Sequence, residues 1–63
     1  MSELSDAKRA LTTLQELKTK AQEALIRAKS RGDTVSAEKI KRNIDTMTTE
    51  ISQQEAYIRG LES

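Results

Sequence analysis

The chain has 63 residues, eleven Lys and Arg against ten Asp and Glu, a single aromatic, and no Cys, His or Pro. This excludes a disulfide framework and the Cys and His ligands of zinc, haem or iron–sulfur sites, so no cofactor is expected. A chain this short buries only roughly 60% of the surface its unfolded form exposes, and with disulfide and metal staples gone, association with another chain is the staple left to it.

Apolar residues in the first half recur at steps of three and four: Leu4, Ala7, Leu11, Leu14, then Ala21, Leu25 and Ala28, with Lys18 in the one missing place. That is a heptad seam, and it predicts a helix over about residues 3–31. Ser2 or Ser5 can cap its start, while Glu3 and Asp6 suit the positive end of the helix dipole. Lys29 and Arg31 stand where the last carbonyls favour cations, and Gly32 supplies a residue that turns at positive φ without a Cβ clash.

The next helix is expected at once, over about residues 34–60, after a turn at 32–33. Asp33, Thr34 and Ser36 are candidate N-caps, and Glu38 is placed in the first turn. The seam here is Ala37, Ile40, Ile44, Met47, Ile51, Gln54, Ile58 and Leu61, broken only by Gln54. Gly60 and the chain terminus favour fraying beyond that point.

So short a connection makes neighbouring helices antiparallel. Folding at Gly32-Asp33 sets Ala28 against Ala37, Leu25 against Ile40, Ala21 against Ile44 and Lys18 by Met47. Further from the turn it sets Leu14 by Ile51, Leu11 by Gln54, Ala7 by Ile58 and Leu4 by Leu61, with Lys8 opposite Glu55. Small residues of one helix meet large residues of the other, so the layers can interdigitate. The alternative, a parallel coiled-coil dimer of the second helix, has Ile at three a positions in its favour. It sets Glu50 of one chain against Glu55 of the other, and it leaves the Gly32 turn without a purpose. The expected fold is therefore all-α: an antiparallel, coiled-coil-like two-helix hairpin in one domain, completing a helical bundle by dimerisation or with a partner.

No catalytic constellation can be assembled. There is no His for acid–base work, and the hydroxyls lie on open helix faces without an activating base. Glu16, Glu23, Asp45, Glu50 and Glu55 read as solvated charges, since a two-helix hairpin offers no cleft to shift their pKa values. Arg31-Gly32-Asp33 matches a tripeptide of integrin ligands, but each residue already has a structural role as dipole partner, helix stop or cap. An enzyme is not expected.

Charge is uneven along the hairpin. Residues 27–42 at the tip carry six cations against Asp33 and Glu38, a balance of +4, whereas the open end (1–9 and 50–63) carries five anions against three cations, a balance of −2. A basic tip can touch nucleic acid. The net charge of +1 and the lack of aromatics for stacking on bases argue against it.

Apolar residues are left over once the seam closes. Ala10, Leu17 and Ala24 fall at g beside the first seam, Tyr57 falls at g of the second, and Ile26 and Val35 lie near the tip. A two-layer hairpin cannot cover its own seam fully, so an extra apolar flank marks a docking face for another protein's helix or for a second copy. No apolar run approaches a membrane span and no signal-peptide pattern is present, so no membrane partner is expected; with Cys absent, the expected location is cytoplasmic.

In length, near-equal helices, the short Arg31-Gly32-Asp33 turn and the acidic N-terminus, the chain resembles the small helical-hairpin co-chaperones of type III secretion. That resemblance implies a cytosolic protein that pairs with a larger helical-repeat chaperone to keep a needle subunit from polymerising. Residues 28–47 also resemble the helical-hairpin interaction motif of nucleotide-excision repair proteins, without its acidic and aromatic run. Both resemblances imply that the chain binds a protein helix. The alternative function is a small nucleic-acid-associated or regulatory protein using the basic tip.

Overall fold

The computed structural model describes residues 2–63. Two helices, α1 (Glu3–Ser30) and α2 (Thr34–Glu62), lie side by side in a ribbon 46 Å long, 17 Å wide and 10 Å thick. The all-α hairpin expected from the heptad pattern is the fold that forms.

The caps show why the helices start and stop where they do. Ser2 Oγ accepts the Ser5 backbone N–H at 3.0 Å, so Ser2, not Ser5, is the N-cap of α1. At the other end Gly32 has φ +71°. Its N–H donates to the Lys29 carbonyl at 3.0 Å, and the Asp33 N–H donates to the Ala28 carbonyl at 2.9 Å. This is a Schellman motif, which satisfies carbonyls that the last turn would otherwise leave free. Asp33 then caps α2 directly, its Oδ1 accepting the Ser36 N–H at 3.1 Å. The Ser36 backbone and hydroxyl hold the Asp33 carboxyl below the usual carboxylate range. The cap therefore contributes stability above about pH 4 and loses it as pH falls through the lowered value. One tripeptide ends one helix and begins the next.

Three local expectations are corrected. Helix α1 ends at Ser30, with Arg31 as its C-cap. Helix α2 runs on to Glu62, because Leu61 is a half-buried seam residue and the Ser63 hydroxyl donates to the Gly60 carbonyl at 3.1 Å. Glu38 lies just past the first turn of α2 and reaches forward to Lys41 at 3.5 Å. The threonines, poor formers of helix interiors, are accommodated by back-bonding. Thr12, Thr13, Thr19, Thr46, Thr48 and Thr49 each donate to the carbonyl four residues earlier.

Every one of the sixteen seam positions is buried or half-buried. The deeply buried ones cluster at the two ends of the ribbon: Ala28 and Ala37 beside the turn, Ala7 and Ile58 at the open end. The open end is further clasped by polar bonds. Gln54 Nε2 donates to the Ala7 carbonyl at 3.0 Å, the Tyr57 hydroxyl donates to Glu3 Oε1, and Lys8 Nζ lies 3.5 Å from Glu62 Oε2. Lys8 was expected opposite Glu55. Helical side chains lean toward their own N-terminus, so in antiparallel helices Lys8 and Glu62 lean toward each other while Glu55 leans away.

Gln54 thus spends its amide across the seam, and Lys18 sits half-buried one heptad further toward the turn. Both are polar interruptions of the kind that fix alignment at some expense in stability. Replacing both by Leu leaves no orphaned group, because the Ala7 carbonyl keeps its helical bond. Lys18→Leu/Gln54→Leu is expected to raise the thermal midpoint and broaden the choice of association state. A lower midpoint by circular dichroism would show that the amide bond stabilises more than leucine packing would.

Candidate docking surface

The ribbon has two broad faces, and they differ in chemistry. One carries the e positions: Lys8, Gln15, Gln22 and Lys29 of α1, with Lys41, Thr48, Glu55 and Glu62 of α2. Among the described residues, these e positions hold no apolar side chain. The other carries the g positions, where α1 presents Glu3, Ala10, Leu17, Ala24 and Arg31 and α2 presents Ser36, Asn43, Glu50 and Tyr57. The Tyr57–Glu3 hydrogen bond joins the two g columns and so sets these residues on a common face.

Leu17 and Tyr57 on this face each keep 46% of their surface exposed, Ala10 is exposed, and Ala24 is half-buried. The structure therefore brings four of the six apolar residues singled out from the sequence onto one side. It does not bring the other two. Ile26 and Val35, 65% and 66% exposed, fall at b and f on the outer backs of the helices. Val35 borders a shallow surface depression of about 310 Å³ with Thr34, Glu38, Lys39 and Arg42, and a second of about 390 Å³ lies along Thr12, Glu16, Lys20 and Glu23. Each is the space between exposed side chains of one helix, with none of the enclosure that fixes a small ligand.

Among the described residues, no group of three or more His, Cys, Asp or Glu is placed to hold a metal ion, and no helix is long and apolar enough to cross a membrane. At the basic tip, Arg31 lies 3.9 Å from Asp33 and Lys41 lies 3.5 Å from Glu38, so part of that charge is neutralised locally.

Tyr57 was read from the sequence for its apolar ring; its hydroxyl adds a polar anchor that heptad position alone does not reveal. The hydrogen bond to Glu3, with desolvation and the Glu3 charge adding to it, pushes the phenol above its ordinary pKa. The folded chain holds that proton more tightly than the unfolded one. The contact accordingly contributes its stability below about pH 10 and loses it as pH rises through the raised value. As Tyr57 is the one tyrosine, alkaline titration of tyrosinate absorbance reads it alone. Glu3→Ala is expected to bring the midpoint down toward that of a free phenol; an unchanged midpoint would show that the bond is absent in solution.

Compared with protein-family models, with curated proteins and with solved structures, the chain has no match in any of the three.

Proposed function

We propose that this hairpin is a non-enzymatic protein–protein interaction module that takes an amphipathic helix against its Leu17 and Tyr57 face. The reading rests on one observation: two large apolar side chains stand nearly half exposed at the g positions of one broad face, while the described e positions of the opposite face are all polar. An apolar stripe rimmed by charge is how a groove or layer accepts a helix. The two depressions at Val35 and Glu16 are open and bordered by exposed side chains of single helices, which fits contact with another surface better than enclosure of a substrate.

Within this reading the hairpin acts as a small chaperone or adaptor, in the manner of the type III secretion co-chaperones whose architecture it resembles. It works in the cytoplasm, where a chain without Cys loses nothing to reducing conditions. A photo-crosslinking residue at Leu17 tests the docking face against the same residue at Gln22 on the polar face. Adducts to a defined protein are expected from Leu17 alone, and they should survive high salt, as apolar docking does. Equal labelling from both positions would refute the face. Capture that collapses steeply with salt would point to the basic tip and a polyanion instead.

A further inference from the structure

We infer that the helix taken by this face is α1 of a second copy, laid antiparallel so that two hairpins close into a four-helix bundle. This rests on the reading of the Leu17 face as a docking surface and names its occupant.

The g column of α1 is self-complementary. It runs Glu3, Ala10, Leu17, Ala24, Arg31, an anion and a cation at its ends, small residues inside them, and leucine at the centre. A two-fold axis at Leu17 sets Leu17 against Leu17, Ala10 against Ala24, and Glu3 against Arg31 of the second copy. The neighbouring c column obeys the same operation: Asp6 comes beside Arg27, and Thr13 beside Lys20. On α2 the axis sets the Tyr57 ring by Lys39 of the second copy, a cation on an aromatic face, and Gly60 by Ser36. Such a pairing, in which residue i meets j and j meets i, is what an isologous interface requires.

Charge selects this orientation over the others. Antiparallel stacking lays the basic tip (+4) of one hairpin over the acidic open end (−2) of the next. Parallel stacking would bring the two basic tips together. It would also lay the Ala10-Leu17-Ala24 column on Tyr57, Glu50 and Asn43, setting Leu17 on a carboxylate instead of on a second leucine. The alanines on both sides of Leu17 let the helices approach closely. A face 46 Å by 17 Å amounts to roughly 800 Å², what each partner gives to a stable interface of ordinary size.

Glu3 already accepts the Tyr57 hydroxyl through one oxygen, which leaves the other for Arg31 of the second copy. Arg31 has only the 3.9 Å contact to Asp33 to give up.

Cysteine substitution gives a direct test, since the chain has no Cys of its own and the positions are at least partly exposed. Under oxidised glutathione, Leu17→Cys is expected to form disulfide dimers with itself. Ala10→Cys alone and Ala24→Cys alone should stay uncrosslinked, because antiparallel copies hold like positions about 21 Å apart. A mixture of the two should cross-link. Dimers from Ala10→Cys alone would bring like positions together and overturn the arrangement. No dimers from Leu17→Cys or from the mixture, in a protein that sediments as a folded monomer, would overturn the second copy. Photo-crosslinking at Leu17 reads docking of other proteins independently, so the two readings can fail separately.

Charge reversal gives a second readout. Glu3→Arg and Arg31→Glu should each weaken self-association in sedimentation equilibrium, and the double reversal should restore it. Within one chain these residues stand about 42 Å apart along α1, so only a contact between copies can make them compensate. A double variant weaker than either single one would overturn the register.

Discussion

Ile58→Asp is expected to unfold the hairpin from its open end. Ile58 is 7% exposed, the one large side chain among the deeply buried residues, and its seam partner Ala7 is 5% exposed. Truncating a buried isoleucine removes about 2–5 kcal/mol, and a carboxylate in its place adds a desolvation penalty with no cation in the seam nearby. A chain of this size holds roughly 3–9 kcal/mol of net stability, so the substitution consumes most of it. The clasp around Ile58 fails with it, because Gln54, Tyr57 and Lys8 reach their partners only while the two helix ends lie side by side. Circular dichroism should show either lost helicity at room temperature or a thermal midpoint lowered by well over about 10 °C. Ile26→Asp is the control: at 65% exposure it should change stability by no more than about 0.5 kcal/mol. An Ile58→Asp variant that melts with the parent would mean that the open end is already frayed in solution.

How much of this was legible in the sequence follows from which forces are local. Heptad periodicity is arithmetic on residue numbers, and all sixteen places that it named are buried or half-buried in the structure. The turn was legible because Gly32 and Asp33 are residue types with specific backbone roles. The flank pairs were not, because they depend on side-chain lean: Lys8 meets Glu62, not Glu55, although both share its face. The Gln54 bond to the Ala7 carbonyl was invisible for the same reason, since position in a seam does not say where an amide turns. Ile26 and Val35 lie near the tip, and their b and f positions set them apart from the g column that carries Leu17 and Tyr57. Function was least legible, since a helix face selects its partner by shape and charge and carries no chemistry that a motif could announce.

Substitutions at Gly32 are expected to rank Asn, Ala, Val in increasing damage. Its φ of +71° lies in the left-handed region, and a Cβ built there meets nothing within 4 Å. The strain would therefore be purely that of the backbone, about 1–2 kcal/mol for an ordinary L residue. Asn tolerates the region better, and a β-branched Val tolerates it worst. The strain cannot be relieved by letting α1 run on into α2. Carrying the first heptad through the turn would put residues 32, 35, 39 and 42 in the seam, whereas the second seam uses Ala37, Ile40 and Ile44. The two stripes would then face nearly opposite sides of one long helix, and neither could cover the other. Gly32→Val must accordingly keep the strained turn or lose the hairpin. Thermal midpoints should fall by several degrees for Ala and further for Val, at about 4–8 °C per kcal/mol in a domain of this size. Gly32→Asn should fall least, and helicity at low temperature should be kept in all three. A Val variant as stable as the parent would show that the chain turns elsewhere, and that the Schellman bonds from Gly32 and Asp33 do not hold the two helices together.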